Sequence, residues 1–300
     1  MSLVSIIINC HNGARFLEDC LNSVYNQTYQ NYEVIFYNNC SNDESEKIFN
    51  RYKREKDIYF ISKKFLSLGE ARFNAVNLAN GDYISFIDVD DIWLKDKLER
   101  QISKMESEKS FLSFSNVLLK NENSKTLKSS KIKSNINVSD LITNYQIYMP
   151  TVVIKKTNFN FEKKLHYCPD FLLFMKYIIN FKFTFLENNL AIYRYHPNSF
   201  SNSKYIKSKQ YYEEIYTLGV IRRICKKINL IDIKFFKIRM SQIMINRAAY
   251  YFYTKKFKTR KILKKKLFLF PNMIKFILIY LLLHNYIPLI RKLKKITLLF

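Results

Sequence analysis

The sequence predicts an α/β fold in which a mostly parallel sheet is covered on both faces, followed by a helical, basic tail. Three observations lead there. Short apolar runs alternate with amphipathic stretches through the first hundred residues. Several of the runs end in a cluster of polar residues, as strands do where they approach a ligand crevice. The positive charge is concentrated at the far end of the chain.

The first apolar run, 3–8, reads as a buried strand; it lacks the basic flank and small-residue cleavage site of a signal peptide. An amphipathic stretch at 14–26 predicts a helix, and 33–37 a second strand. Helical patterns at 43–55 and 70–79 enclose a third strand at 58–62, and 83–87 is a fourth. Strands alternating with helices predict parallel pairing. Asp91 is placed to cap a further helix over 92–103, whereas 120–137, rich in Lys, Asn and Ser, reads as an exposed loop. From about 204 onward the pattern is helical. The five cysteines, Cys10, Cys20, Cys40, Cys168 and Cys225, have no metal or disulfide spacing and read as reduced thiols.

The formal charge of +25 suggests a nucleic-acid binder until it is located along the chain. Residues 233–300 hold 17 Lys and Arg and no acidic residue, so most of the excess belongs to the tail. The aromatic residues lie mostly in apolar runs and no nucleic-acid-binding motif is present, so nucleic acid is not an expected partner. In the tail, residues 276–283 are apolar but too short to span a bilayer, which takes about 20 residues. Lys255-Lys256-Phe257-Lys258 and Lys264-Lys265-Lys266 precede this segment. Such a mixture suits an anionic membrane surface; the alternative is a helical bundle whose apolar stripe packs on the main domain.

The polar clusters Asn9-Cys10-His11-Asn12, Asn38-Asn39-Cys40-Ser41 and Asp88-Val89-Asp90-Asp91 follow three of the predicted strands and should face one crevice. Carboxylates at a strand end suit a hard divalent cation, Mg²⁺ or Mn²⁺, which prefers oxygen ligands.

Several ordered pieces between residues 3 and 93 carry a resemblance: Val4-Ser5-Ile6-Ile7-Ile8, Leu21-Asn22-Ser23-Val24-Tyr25-Asn26-Gln27-Thr28, Asn38-Asn39-Cys40-Ser41-Asn42-Asp43, Gly69-Glu70-Ala71-Arg72-Phe73-Asn74, and Gly81-Asp82-Tyr83-Ile84-Ser85-Phe86-Ile87-Asp88-Val89-Asp90-Asp91. In order and spacing the chain resembles the family 2 inverting glycosyltransferases of GT-A fold, with a Rossmann-like sheet. The resemblance implies a nucleotide-diphosphate sugar, a UDP-sugar first of all, as donor, and a glycan or lipid-linked acceptor in bacterial surface polysaccharide, lipooligosaccharide or capsule synthesis. It implies a catalytic domain over 1–203, with a nucleotide-sugar half at 1–110 and an acceptor half at 111–203, and a membrane-proximal region at 204–300. Together with the tail, this predicts a cytoplasmic enzyme held peripherally on the inner face of the cytoplasmic membrane.

The same resemblance assigns roles to residues. Asp90 would coordinate the metal, and Asp88 would contact the ribose or assist the metal. Arg72 would approach the base or diphosphate, while Cys10, His11 and Asn39 would form the nucleoside pocket. Asp170, in His166-Tyr167-Cys168-Pro169-Asp170, would be the base. His196, in Tyr193-Arg194-Tyr195-His196, would complete the metal or diphosphate site. Read without the family, Asp170 is also an ordinary N-cap, Arg72 a partner for a nearby carboxylate, and His11 and His196 loop histidines. The chain departs from the family pattern where Asn38-Asn39-Cys40 replaces Asp-Asp-Gly and where Asn9-Cys10-His11-Asn12 replaces Pro-Thr-Tyr-Asn. An Asn amide can pair with a uracil edge without a charge, but the donor base is left open by these changes. They also keep a catalytically inactive relative as an alternative. A nucleotidyltransferase is disfavoured because His11-Asn12-Gly13-Ala14 is too poor in glycine for a phosphate loop.

Overall fold

In a computed structural model, the described residues are 1–121, 127–196, 204–228 and 230–253. The basic clusters after Lys255 and the apolar 276–283 segment lie outside them. Residues Met1–Met240 form one compact unit; the last described part of the chain, Ser241–Tyr253, belongs to a second.

The alternation read from the sequence is present. Strands β1 (Val4–Cys10), β2 (Tyr32–Asn38), β3 (Ile58–Ile61) and β4 (Tyr83–Asp88) alternate with helices α1 (Ala14–Tyr25), α2 (Ser45–Tyr52) and α3 (Leu68–Asn77). The strands lie in the order β3-β2-β1-β4, all parallel. Strands β1, β2 and β4 are apolar nearly throughout because both their faces are buried, whereas β3 is a half-exposed edge strand. Ile6, Ile8, Val34 and Phe36 join Leu17, Leu21 and Val24 of α1 and Phe49 of α2 in one core. Ser67 caps α3 by accepting the Glu70 N–H at 3.1 Å.

Beyond β4 the chain departs from the predicted pattern in two places. Asp91 caps no helix over 92–103. Instead β5 (Ile92–Trp93) pairs antiparallel with Ile192 and Ala191, and the helix, α4 (Lys97–Glu108), starts later. Asp91 is fully buried, and its Oδ1 accepts the Arg194 N–H at 3.1 Å. Nor is 120–137 simply a loop: β6 (Leu112–Asn121) and β7 (Leu127–Ser129) pair antiparallel across it, and α5 (Val138–Thr143) follows with a capping box between Asn137 and Asp140.

The sheet then continues through β8 (Val153–Lys155), which runs antiparallel between β4 and β6, and β9 (Phe183–Tyr195), which runs parallel to β6. The long ladders are parallel and the antiparallel ones short. Helix α6 (Pro169–Asn180) buries an almost continuous apolar face, Phe171 to Met175 together with Tyr177 to Ile179. Helices α7 (Lys204–Lys227) and α8 (Ile233–Tyr253) agree with the helical pattern read after residue 204.

Candidate active site

Parallel register brings the three polar clusters level. Cys10 stands beside Asn38 and Asn9 beside Asp88, so the strand ends of β1, β2 and β4 open on one crevice. Gly13 permits this closeness, since a Cβ there would lie 2.8 Å from a methyl of Val89 and 3.0 Å from the Cys10 sulfur.

The turns at the ends of β1 and β2 hold each other. Ser41 accepts the Asn12 N–H at 3.0 Å, Ser45 accepts the Gly13 N–H at 3.1 Å, and Asp43 accepts the Ala14 N–H at 2.9 Å. Asn12 and Cys40 adopt left-handed backbone, at φ 53° and 60°. Asn tolerates that region well; at Cys40 it is the conformation a glycine would supply, and glycine is the residue the family pattern has there.

His11 is exposed on the rim, its Nδ1 2.9 Å from the Asn39 carbonyl oxygen and its ring 4.6 Å from that of Phe65. Phe65 carries no sequence signal for such a place. Asn39 is turned into the fold: its Oδ1 accepts from the Leu66 N–H at 2.9 Å and the Ser62 hydroxyl at 3.2 Å, and its Nδ2 donates to the Leu66 carbonyl at 3.0 Å. Its acceptor capacity is therefore spent on the 62–66 loop, which carries Phe65. Cys10 is buried, and burial pushes its thiol pKa up, so it lines the crevice floor as a small apolar group.

The carboxylates occupy two environments. Asp88, about one-third exposed, accepts from the buried Arg72 guanidinium at 2.8 Å. Asp90 is set deeper, with its Oδ2 3.0 Å from His196 Nε2. Burial and then the Asp88 charge raise the Asp90 pKa, which His196 partly offsets. The ring of Phe16 covers His196 at 4.6 Å. Arg194 braces this wall: its Nε donates to the Asp90 carbonyl, and its Nη1 donates to Asp19 at 2.7 Å. The position of Arg194 two residues before His196 was its only signal in the sequence.

Asp90 and His196 offer a carboxylate oxygen and an imidazole nitrogen to one point. Among the described residues no group of three or more His, Cys, Asp and Glu side chains converges on a metal position. A carboxylate completed by phosphate oxygens is what Mg²⁺ or Mn²⁺ takes in nucleotide sites, so Asp90 fits such a cation, with the His196 imidazole bonded to that carboxylate beside it.

Asp170 enters from the other wall, in the first turn of α6. It lies within electrostatic reach of Arg72 and Asp88. Burial raises its pKa, the Asp88 charge adds to the rise, and Arg72 opposes it. Tyr145 donates to Asp170 Oδ2 at 3.4 Å; burial and the Asp170 charge hold this phenol protonated. Nothing in the sequence pointed to Tyr145. The two walls meet at Gly69, whose N–H donates to the Leu165 carbonyl at 3.0 Å and where a Cβ would stand 2.3 Å from that oxygen. Arg72 bonds to Asp88, Asp90 to His196, and Asp90 and Asp170 each lie within electrostatic reach of Asp88, so these five side chains form one cluster; Cys10 is buried at the neighbouring strand end, and Asn39 turns into the fold.

Residues 5–181 match the family described as Glycosyl transferase family 2. The chain is 31% identical over 230 residues to an uncharacterized glycosyltransferase of Methanocaldococcus jannaschii, covering 72% of this chain and 78% of that one. It is 36% identical over 122 residues to the Escherichia coli UDP-Glc:alpha-D-GlcNAc-diphosphoundecaprenol beta-1,3-glucosyltransferase WfaP, covering 41% of this chain and 49% of WfaP. Residues 1–349 of Staphylococcus aureus TarS, solved in complex with UDP-GlcNAc, share the fold with a TM-score of 0.61 at 21% identity, covering 84% of this chain and 73% of that one.

Proposed function

Since the chain belongs to glycosyl transferase family 2, we propose that it transfers one sugar, with inversion, from a UDP-sugar to a glycan or lipid-linked acceptor in bacterial surface polysaccharide, lipooligosaccharide or capsule synthesis. The observation that carries this reading is the convergence of Asp88, Asp90 and Arg72 from one wall with Asp170 from the other. The named activity of WfaP and the UDP-GlcNAc bound to TarS support a UDP-sugar and, for WfaP, a lipid-diphosphate acceptor.

Asp170 takes the proton of the acceptor hydroxyl as its oxygen attacks the anomeric carbon and the bond to the diphosphate breaks on the opposite face. Its raised pKa makes it a better base than an exposed carboxylate. Asp90 and His196 would hold a divalent cation, which would supply Lewis-acid neutralisation of the charge on the leaving diphosphate, typically worth several kcal/mol. Arg72 orients Asp88 toward the donor and adds positive charge where the leaving diphosphate develops negative charge. His11 and Phe65 flank the base. Asn39 shapes the loop behind it through its bonds to Leu66 and Ser62.

The catalytic residues lie in 1–203, with the donor half at 1–110 and the acceptor half at 111–203. The region from 204 onward holds the enzyme on the inner face of the cytoplasmic membrane. Lys226 and Lys227 at the end of α7, exposed Tyr212 and Tyr216, and the basic tail support that placement. No helix among the described residues is long and apolar enough to cross a membrane.

A thermal-shift panel of UDP-, GDP-, dTDP- and CMP-sugars, with and without Mn²⁺, tests the donor assignment. A metal-dependent rise with UDP-sugars that disappears in Asp90→Ala is expected. No rise with any donor would favour the inactive relative that Asn38-Asn39 keeps open.

A further inference from the structure

The first turn of α6 carries Asp170, yet the residue that starts this helix, Cys168, makes no side-chain capping bond. Pro169 at the next position has no N–H to offer. The cap comes from elsewhere in the chain. Glu213 of α7 accepts the His166 N–H on Oε1 at 2.7 Å and the Tyr167 N–H on Oε2 at 2.7 Å. The same Oε2 accepts from the Cys168 N–H at 3.2 Å. One carboxylate thus gathers three consecutive amides directly ahead of the helix that presents Asp170.

An anion in this place satisfies backbone donors and also favours the positive end of the α6 dipole. The contact spans more than forty residues of sequence, so it fixes the position of one element against another rather than closing a local turn. We propose that Glu213 is a positioning residue for Asp170: it sets the entry of the chain into α6 and so the aim of the base at the acceptor hydroxyl. The proposal rests on Asp170 as base. Its consequence is that α7, the first element of the helical region after residue 204, is part of the acceptor wall.

Because Glu213 acts through Asp170, its removal affects turnover and leaves donor binding intact. In the full-length chain, nucleotide release is measured with the nucleotide sugar that raises the melting temperature most, using water as the acceptor. Glu213→Ala should lower kcat at least tenfold with the donor KM within twofold of wild type. Glu213→Gln, whose NH₂ group would face an amide N–H, should do no better, and it serves in place of Glu213→Ala if that variant is insoluble. Combining Glu213→Ala with Asp170→Asn should produce no loss beyond that of Asp170→Asn alone. Hydrogen exchange at the 166–168 amides should accelerate in both Glu213 variants.

A wild-type kcat in folded Glu213→Ala, a rise in KM that accounts for the whole loss, or multiplicative losses in the double variant would each overturn the proposal. The two readings fail separately. Full turnover by Asp170→Asn removes the base and the positioning residue together, whereas an inactive Asp170→Asn beside a fully active Glu213→Ala removes only the latter.

Discussion

The two walls of the crevice are made in opposite ways. The donor wall is built from strand ends that lie next to one another in a parallel sheet, and its turns bond to each other through Ser41, Asp43 and Ser45. The second wall has no such regularity. It is drawn together from distant parts of the chain: Gly69 bonds to Leu165, Ser67 donates to the Lys163 carbonyl, and Glu213 holds 166–168. The wall proposed for the donor is a property of the sheet topology. The other wall depends on individual contacts, which suits the acceptor role proposed for it.

Arg72 is the side chain that answers to both walls, and removing it should have the largest effect. Arg72→Met strips the partner from a half-buried ion pair and should cost about 2 kcal/mol by denaturant unfolding. It should also shift the acid limb of the pH–rate profile. The guanidinium favours the charged form of Asp170, so without it the Asp170 pKa rises further and the limb moves to higher pH. An unmoved limb would mean that Arg72 serves the donor wall alone.

Cys40→Gly is the smaller and opposite test, confined to the donor wall. Cys40 sits at φ 60°, and relieving that backbone should stabilise the protein by about 1 kcal/mol, read as a few degrees in melting temperature. Since the turn is held locally, turnover should not change with it. A change in kcat would show that the turn is coupled to the far wall.

This contrast also explains what the sequence made legible. Alternation of apolar and amphipathic runs predicted β1 to β4 and their helices, since β1, β2 and β4 are buried on both faces and the edge strand β3 is apolar though half-exposed. Ile92 and Trp93 form a strand too short to show a period, so they merged with the helix that follows. Leu127 and Lys128 form an exposed strand with no apolar alternation, and read as loop. Asp90 and His196 are 106 residues apart and were linked only through the family motif. Phe65, Tyr145 and Glu213 gave no signal, because a contact made across the fold leaves no spacing in the chain. The Asn39 amide looked available to a base. What occupies it is the Leu66 backbone, a partner that no side-chain pattern reveals.

Calorimetric titration of UDP with Mn²⁺ into wild type, Asp90→Ala and Asp170→Asn, alongside nucleotide release by the same three proteins, tests the division of labour between the walls. Asp90→Ala should lose metal-dependent UDP binding. Asp170→Asn should bind UDP as wild type does while its turnover falls by 10²- to 10⁴-fold, the range for a lost general base. If Asp170→Asn kept its turnover, or lost UDP binding as Asp90→Ala does, the two walls would not divide donor binding from proton removal.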